Sequence, residues 1–183
     1  MAAAKLFPLP LTDAVPPISA GELWRDRSAV LYLVRRPGCV LCRAEATKLY
    51  TLKPELDALG VSLVAVLHEN REEQVEQFRG EFWPGAPVYL DTDMALFKAV
   101  GGGQVRVGSL SWFLNPFSRI WKNVAAANAV VKSSNLEGEG TKLGGLYVVK
   151  KGGDVQFAFQ EKTFGDHAPP EEVIAAAKAA AAA

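Results

Sequence analysis

Two cysteines with two residues between them are the side chains of this sequence best suited to chemistry. Cys39 and Cys42 are the only cysteines among the 183 residues. Such a pair can cycle between two thiols and one disulfide, and the thiolate is the reactive form of cysteine. A four-ligand zinc site would need two further thiols or histidines nearby, whereas His68 and His167 lie far away in the sequence. The pair therefore predicts redox chemistry in a reducing compartment, the cytoplasm, and no metal site.

The residues that flank the cysteines predict a buried strand followed by a helix. Residues 28–34 (SAVLYLV) form a continuous apolar run, which is typical of a strand buried on both faces of a parallel sheet. Pro37 and Gly38 end the strand, and apolar residues then recur at helical spacing as far as Gly60. Pro54 is expected to kink or split that helix.

A helix start at this point would give the two cysteines different roles. Unsatisfied backbone N–H groups at a helix N-terminus stabilise an anion and lower a thiol pKa. Cys39 would lie in the first turn, and Cys42 would lie one turn later on the same face. The spacing thus offers a nucleophile and a resolving thiol, for exchange with a substrate disulfide or for reduction of a peroxide. Spacing alone selects neither chemistry, and two structural cysteines that are close by chance stay an alternative.

Charged residues near the pair are candidates for a supporting role. Arg35, Arg36 and Arg43 place positive charge close to the cysteines. Arg36, next to the turn, is the one that we predict to be functional, and ordinary solvated charge is the alternative. Glu45 would oppose this charge if it faced the site. Both histidines are predicted to be structural or exposed, because a hydrolase with His68 as its base would leave the second cysteine unexplained.

The order of the remaining elements predicts an α/β fold. Strands are predicted at residues 61–67, 87–90, 146–149 and 155–159, and helices from Asn70 to Gly80, from Asp91 to the glycine run 101–103, and from Pro170 onwards. The order β-α-β-α-β-α, an insertion and β-β-α requires parallel strands and a closing antiparallel hairpin. We therefore predict a thioredoxin-like three-layer sandwich with a mixed sheet and a helical insertion before the C-terminal hairpin. A single domain spans residues 1–183, with an N-terminal extension at 1–18 and the insertion at 101–141.

The insertion carries a cluster of aromatic residues. They are Trp112, Phe113, Phe117 and Trp121. In one interpretation these side chains pack on the core. In the other they form a wall of a substrate pocket or a surface for a partner.

The overall charge and hydropathy exclude some classes of function. The chain has 20 basic and 20 acidic residues, so its formal net charge is zero. A nucleic-acid footprint or a polybasic membrane anchor is therefore not expected, although a local patch is compatible with this balance. No stretch approaches the ~20 apolar residues of a membrane span.

Four sequence blocks resemble the peroxiredoxin-like 2 family, a branch of the AhpC/TSA peroxiredoxin group. The blocks are RRPGCVLCRAE at residues 35–45, NLEGEG at 135–140, LGG at 143–145 and FGD at 164–166. The resemblance implies a peroxiredoxin-type fold and antioxidant or peroxide-linked reductase activity without a bound cofactor. One branch of that family, prostamide/prostaglandin F synthase, reduces an endoperoxide with reducing equivalents from thioredoxin or an NADPH-linked donor.

The sequence also departs from the typical pattern of these families. When the peroxiredoxin motif Pro-x-x-x-Thr-x-x-Cys is superposed, Cys42 takes the peroxidatic position, Cys39 the threonine position and Arg35 the proline position. Thioredoxins instead use the first cysteine as the nucleophile, so the order of attack stays open. On the facing strand, Gly144 and Gly145 stand where thioredoxins have a cis-proline and peroxiredoxins an arginine. We predict that these glycines leave room for a bulky substrate.

The leading hypothesis is a reductase of small peroxides or endoperoxides that a thioredoxin-like reductant resets. Cys39, Cys42 and Arg36 are its predicted catalytic residues, and Gly144 and Gly145 its predicted substrate-binding residues. The alternative is a non-enzymatic scaffold or redox-sensitive adaptor, which would keep the fold as a subunit of a protein assembly.

Overall fold

A mixed sheet forms the centre of the computed structural model, which describes residues 1–12 and 14–182. Its seven described strands are β1 (Lys5–Pro8), β2 (Ile18–Ser19), β3 (Ala29–Val34), β4 (Ser62–Leu67), β5 (Val88–Leu90), β6 (Gly145–Val149) and β7 (Val155–Gln160). They lie side by side in the order β2-β1-β5-β4-β3-β6-β7. The central strands β3, β4 and β5 are parallel, whereas β6, β7, β1 and β2 are each antiparallel to a neighbour.

Helices cover both faces of this sheet. In chain order they are α1 (Val40–Thr51), α2 (Lys53–Ala58), α3 (Glu72–Gln77), α4 (Ala95–Val100), α5 (Arg119–Val130) and α6 (Pro170–Ala181). Alternate residues of β3 enter opposite cores: Tyr32 packs with α1, α5 and α6, whereas Leu33 packs with α4. All six residues of β3 are buried, as expected for a strand covered on both faces. The predicted α/β sandwich with a mixed sheet is confirmed.

The N-terminal extension joins the sheet. Strand β1 pairs antiparallel with the edge of β5, with Phe7 opposite Leu90, and β2 pairs with β1 in turn. Leu6 is fully buried in the core on the α4 side. The extension thus covers an edge of the parallel strands that would otherwise expose unpaired backbone groups.

Three helix boundaries differ clearly from the predicted ones. The helix predicted to begin at Asp91 begins at Ala95, and the Asp91 carboxylate accepts hydrogen bonds from Ala95 N and Leu96 N in its first turn. The helix predicted to begin at Asn70 begins at Glu72, because Arg71 holds the extended N-cap conformation. It was also predicted to end at Gly80, but the chain continues through a π turn to Phe82, closed by a hydrogen bond of 3.0 Å from Trp83 N to Phe78 O. By contrast, the predicted break near Pro54 is confirmed, since α1 ends at Thr51 and the proline occupies the first turn of α2, where its missing N–H is tolerated.

The insertion at residues 101–141 is mostly loop, with one short 3-10 turn at Leu110–Leu114 and one regular helix, α5. Ser118 caps that helix with its side-chain oxygen. Ile120 and Ala127 of α5 are buried in the core that contains α1. This packing brings the aromatic residues of the insertion to the N-terminal end of α1. Across residues 1–12 and 14–182, the helices are too short or too polar to cross a membrane.

Candidate active site

The two cysteines lie where β3 passes into α1, as the sequence predicted. Cys39 is the N-cap of α1, with extended backbone angles (φ −75°, ψ 131°), and its carbonyl accepts the first helical hydrogen bond from Arg43 N at 2.9 Å. Cys42 lies one turn later. Both thiols are free, and they are only 4% and 1% exposed. The pair is therefore shielded from solvent at the start of a helix, where backbone N–H groups favour an anion.

Arg35 is the side chain that contacts the Cys39 sulfur. Its Nη2 donates to Cys39 Sγ at 3.1 Å, and its Nη1 donates to the Gly140 carbonyl at 3.1 Å. The guanidinium also lies over the Phe164 ring, 4.7 Å from the ring centre. Because Arg35 is buried, its charge acts on the sulfur with little screening by water.

The surroundings separate the pKa values of the two thiols. A hydrogen bond from Cys42 and the charge of Arg35 hold the pKa of Cys39 well below its ordinary value, against the opposing effect of burial. The pKa of Cys42 lies well above its ordinary value. The causes are the same hydrogen bond, burial and the charge of Cys39. The geometry thus favours Cys39 as the thiolate and Cys42 as the thiol that keeps its proton.

Arg36, the arginine predicted to be functional, does not hold the sulfur. A hydrogen bond from Cys39 N to Arg36 O closes a turn at this point. The Arg36 side chain extends toward the segment 135–140, where its Nη1 donates to the Leu136 carbonyl at 2.8 Å. Its charge is one of the lesser causes that lower the pKa of Cys39. Direct contact with the Cys39 sulfur belongs to Arg35, and a catalytic role of Arg36 stays a prediction.

Arg43 is fully buried and does not belong to the solvated surface. Its three nitrogen atoms donate to Pro37 O at 2.8 Å, Gln77 Oε1 at 2.8 Å and Ser133 O at 2.6 Å. The guanidinium lies over the Phe82 ring at 5.0 Å. Arg43 therefore ties the turn before the cysteines to the helix layer, which is a structural role.

The segment 135–140 closes over the turn that contains the cysteines. Asn135 N donates to Gly38 O at 2.9 Å, and the Glu137 side chain accepts from Gln74 at 2.9 Å. Arg35 donates to the Gly140 carbonyl of this segment, and Arg36 donates to the Leu136 carbonyl. The close approach explains Gly38, because a Cβ there would overlap the Asn135 side chain.

His68 has the structural role that the sequence predicted. Its Nε2 lies 2.7 Å from the Arg35 carbonyl, so this nitrogen donates to the backbone of the site. Its ring also packs edge-on against Phe97. Burial lowers the pKa of His68, and no hydrogen bond among the described residues joins it to a cysteine.

A buried group of Glu45, His167 and Glu161 lies behind α1, and sequence reasoning missed it. His167 Nδ1 is 3.7 Å from Glu45 Oε2 and 3.7 Å from Glu161 Oε1, too long for hydrogen bonds. Glu161 accepts a hydrogen bond of 2.9 Å from Gly144 N, whereas Glu45 Oε2 has no hydrogen-bond partner among the described residues. His167 was predicted to be structural or exposed, and the structure excludes the exposed alternative because the side chain is packed between two buried carboxyl groups.

Burial dominates the ionisation of this group. It raises the pKa of Glu45 to about 8 and that of Glu161 to about 7, and it lowers the pKa of His167 to about 3. All three side chains are therefore largely uncharged near pH 6. Tyr32, which lines the same small void of about 10 Å³, donates to the Cys42 carbonyl at 3.1 Å and thus connects the group to α1.

Glu45→Gln is expected to make folding stability less dependent on pH. A carboxyl group whose pKa is raised by folding stabilises the fold below its unfolded pKa and loses that contribution as pH rises through its folded pKa. For Glu45 the window runs from its ordinary value of 4.5 to about 8. Through this residue, the free energy of unfolding of the wild type is expected to fall by on the order of 3 kcal/mol across that window. The free energy of unfolding of the variant should fall less.

The measurement is urea unfolding at pH 5, 6, 7 and 8. The exposed Glu76 on α3 provides a matched control, and Glu76→Gln should keep the pH dependence of the wild type. A Glu45→Gln profile as steep as that of the wild type would show that Glu45 is ionised in the folded protein.

Gly144 and Gly145 do not provide the predicted room for a substrate. A Cβ on Gly144 would overlap the Leu33 carbonyl, and one on Gly145 would overlap the Phe159 carbonyl. Both glycines therefore allow close approach of neighbouring strands, and a substrate-binding role for them stays untested.

Gly144→Ala is expected to destabilise the fold by about 1–3 kcal/mol, because the obstructing atom is backbone and cannot move aside easily. Thermal or urea unfolding measures the loss. Gly80→Ala is the control without loss, since a Cβ there has no heavy atom within 4 Å. Equal stability of the two variants would contradict this account of Gly144.

The open space near the cysteines lies on the other side, between Cys39 and the insertion. It is a cavity of about 500 Å³ with an almost wholly apolar wall. Its lining residues are Arg35, Arg36, Cys39, Val40, Leu41, Phe113, Trp121, Val124, Leu136, Gly140 and Phe164. Phe113 stacks on Phe164 at 5.7 Å and meets Trp121 edge-on at 5.7 Å. Of the four aromatic residues of the insertion, Trp112 and Phe113 pack on the core, Phe113 and Trp121 line the cavity, and Phe117 is exposed. A role of the cavity in substrate binding stays a prediction.

Comparisons with known proteins agree with this geometry. A family model described as AhpC/TSA antioxidant enzyme matches residues 48–163, a stretch that begins after the two cysteines. Peroxiredoxin-like 2A of Danio rerio is 39% identical over 167 residues, which cover 88% of this chain and 73% of that protein. Peroxiredoxin-like 2A of Mus musculus is 39% identical over 165 residues, covering 87% and 70%.

Solved structures share the fold at low sequence identity. Peroxidoxin BcpB of Mycobacterium tuberculosis superposes with a TM-score of 0.63 at 16% identity, covering 96% of this chain and 91% of that one. Peroxiredoxin Q of Xanthomonas campestris gives 0.57 at 17% identity, covering 97% and 90%. The thioredoxin-like peroxiredoxin fold is thereby confirmed. With the family match and the two relatives, the chain belongs to the AhpC/TSA antioxidant enzyme family and, within it, to the peroxiredoxin-like 2 proteins.

Proposed function

We propose that this protein reduces peroxides or endoperoxides through a dithiol–disulfide cycle of Cys39 and Cys42. The observation that carries the proposal is the hydrogen bond of 3.1 Å from Arg35 to Cys39 Sγ at the start of α1. A buried cation and a helix N-terminus together favour a thiolate, the form that attacks an O–O bond. Membership of an antioxidant enzyme family supports a thiol redox role.

The proposed cycle has three balanced steps. In the first step the Cys39 thiolate attacks the terminal oxygen of a hydroperoxide ROOH and the O–O bond breaks. Cys39 becomes a sulfenic acid, and the alkoxide takes a proton and leaves as ROH. The Cys42 thiol then condenses with the sulfenic acid, which releases water and forms the disulfide. Two thiols of a donor finally reduce the disulfide and become oxidised themselves.

Arg36 is proposed to stabilise the leaving oxygen. Its Nη1 donates to the Leu136 carbonyl, but within residues 1–12 and 14–182 its buried Nε has no hydrogen-bond partner. A fixed cation next to the cavity would favour the negative charge that develops on the departing oxygen. With Arg35 on the sulfur and Arg36 toward the leaving group, the two arginines have separate tasks.

The substrate and the reductant follow from the surroundings of the sulfur. The cavity of about 500 Å³ beside Cys39 is far larger than hydrogen peroxide requires, so an organic peroxide or endoperoxide suits it better. We propose a thioredoxin-like protein or another NADPH-linked donor as the reductant, in the reducing environment of the cytoplasm. No bound cofactor takes part in this proposal.

A coupled assay tests the proposal. Oxidation of NADPH is followed with thioredoxin and its reductase present, with hydrogen peroxide, cumene hydroperoxide or an endoperoxide as the substrate. We expect turnover of the organic peroxides that requires both Cys39 and Cys42. Absence of turnover with all three substrates and with a dithiol reductant would contradict the proposal.

A second candidate is an adaptor that keeps the fold without catalysis. It is favoured by the exposed apolar side chains Leu114 and Phe117, which are 84% and 94% exposed. An adaptor would bind a stoichiometric partner equally well when both cysteines are changed to serine. That result, together with an inactive wild type in the coupled assay, would favour the adaptor.

A further inference from the structure

One segment of this protein carries only positively charged side chains, although the formal net charge of the whole chain is zero. From residue 94 to residue 136 the sequence contains no aspartate or glutamate, whereas it contains five basic residues: Lys98, Arg106, Arg119, Lys122 and Lys132. The aromatic insertion lies within this stretch. The segment is thus attracted to negative charge although the whole chain is neutral.

The same segment exposes large apolar side chains close to its positive charges. Leu114 and Phe117 are 84% and 94% exposed, and Trp121 is 45% exposed. Arg119 and Lys122, at the start of α5, are exposed as well. We define these five residues as the interfacial patch. They fall within nine consecutive residues, which turn tightly through hydrogen bonds from Ser118 N to Asn115 O and from Trp121 N to Ser118 O.

The interfacial patch is continuous with the cavity beside Cys39. Trp121 belongs to both, since its ring packs on Phe113 inside the cavity while its indole N–H donates to the Asn115 carbonyl at the surface. Leu136 on the opposite wall of the cavity is 86% exposed. The apolar surface of the patch therefore leads directly into the apolar cavity.

We propose that the interfacial patch binds the surface of an anionic phospholipid bilayer and that the cavity opens toward the lipid. Exposed Phe, Leu and Trp side chains beside Lys and Arg are the combination that an interfacial site needs, because the apolar groups enter the acyl boundary and the cations meet anionic headgroups. The chain would lie on the bilayer without crossing it. An acidic protein would complement only the two cations, whereas an anionic bilayer complements both the cations and the Phe117 side chain, which is 94% exposed.

The proposal also names a substrate class, and that part rests on the proposed function. A peroxidised acyl chain at the bilayer surface could enter the cavity with its O–O bond toward Cys39. The Cys39 thiolate would attack the terminal oxygen of the hydroperoxide group on the acyl chain, and the O–O bond would break to give the sulfenic acid and an alkoxide. The alkoxide would take a proton and leave as a hydroxylated acyl chain, as in the cycle above.

Vesicle binding tests the docking surface. Large vesicles of phosphatidylcholine alone, or with phosphatidylserine, are sedimented with the full chain at low and high salt. We expect binding to the phosphatidylserine vesicles that weakens as salt rises. Phe117→Ser should weaken it about ten- to hundredfold, and the pair Arg119→Gln with Lys122→Gln about thirtyfold.

Matched controls lie elsewhere on the surface. Val155→Ser removes a half-exposed apolar side chain from β7, and Lys151→Gln with Lys162→Gln removes the same charge as the patch pair. Both controls should bind vesicles as the wild type does. Failure of the wild type to bind phosphatidylserine vesicles, or equal losses in patch and control variants, would overturn the docking surface.

Kinetics separate this inference from the proposed function. Phe117, Arg119 and Lys122 do not line the cavity, so their variants should turn over cumene hydroperoxide in solution normally but lose activity toward phospholipid hydroperoxide in vesicles. Vesicle binding without turnover of any peroxide would reject the proposed function and retain the docking surface. Equal turnover of vesicle-bound hydroperoxide by wild type and patch variants would reject the substrate class.

Discussion

Cys39→Ser is expected to reduce peroxide turnover to the background rate, whereas Cys42→Ser is expected to keep a single turnover. The reason is the unequal setting of the two sulfurs, since Arg35 donates to Cys39 Sγ at 3.1 Å while Cys42 is the more deeply buried thiol with the raised pKa. Without Cys39 no thiolate attacks the O–O bond. Without Cys42 the sulfenic acid on Cys39 has no resolving partner and accumulates.

Mass spectrometry after one equivalent of cumene hydroperoxide distinguishes the two variants. Cys42→Ser treated with a sulfenic acid trap should carry the trap on Cys39, and Cys39→Ser should stay unmodified. Both sulfurs are nearly inaccessible to solvent, so circular dichroism must show that each variant is folded. A trapped sulfenic acid on Cys42 in Cys39→Ser, with unimpaired rate, would assign the attack to Cys42, the position that superposition on typical peroxiredoxins gives to the peroxidatic cysteine.

Arg35→Met is expected to raise the pKa of Cys39 and to slow its alkylation at pH 6 by about ten- to hundredfold. A hydrogen bond to a charged partner contributes roughly 1.5–3 kcal/mol, and each 1.36 kcal/mol corresponds to a factor of about ten in the thiolate population. Methionine keeps an unbranched apolar side chain at this position but removes the charge, the donors and the guanidinium that lies over the Phe164 ring. Peroxide reduction under limiting substrate should slow by a similar factor.

Arg43→Met is the matched control for the loss of a buried guanidinium. Arg43 is as buried as Arg35, but it donates to Pro37, Gln77 and Ser133 and not to a sulfur. Both variants should lose stability in thermal unfolding, and only Arg35→Met should show the large change in Cys39 reactivity. Equal effects on alkylation would mean that general loosening of the turn, and not the contact with Arg35, governs the thiol.

The position of the cysteines was predictable because it depends on local patterns. A continuous apolar run such as residues 28–34 indicates a buried strand, and the breaker pair Pro37-Gly38 followed by helical spacing indicates the start of a helix. These signals involve neighbours in sequence, so the junction at Cys39 could be located without knowledge of tertiary contacts.

The partners of the cysteines were not predictable in the same way. Arg35 and Arg36 are adjacent and chemically identical, and only the course of the turn decides that the first reaches Cys39 while the second reaches Leu136. The buried group behind α1 joins Glu45 of α1 to Glu161 and His167 of the loop between β7 and α6, which are distant from Glu45 in sequence. A carboxyl group three residues after Cys42, on the same helical face, was the one available signal.

The surroundings of Gly144 and Gly145 were not predictable from the sequence. Positions without a side chain suggest free space, but the carbonyls of Leu33 and Phe159 stand where a Cβ on these glycines would lie. The apolar space that a substrate needs comes instead from the insertion, whose aromatic residues have no fixed spacing that would reveal a cavity.

The rate of alkylation of each cysteine as a function of pH tests the central assignment most directly. The wild-type protein is treated with iodoacetamide between pH 4 and pH 10, and the two cysteines are resolved by peptide mass spectrometry. An ordinary thiol titrates near pH 8.5. The account predicts that the alkylation rate of Cys39 reaches its maximum well below that pH, whereas Cys42 reacts only above it. Two cysteines that both titrate as ordinary thiols, or a lower transition for Cys42, would contradict it.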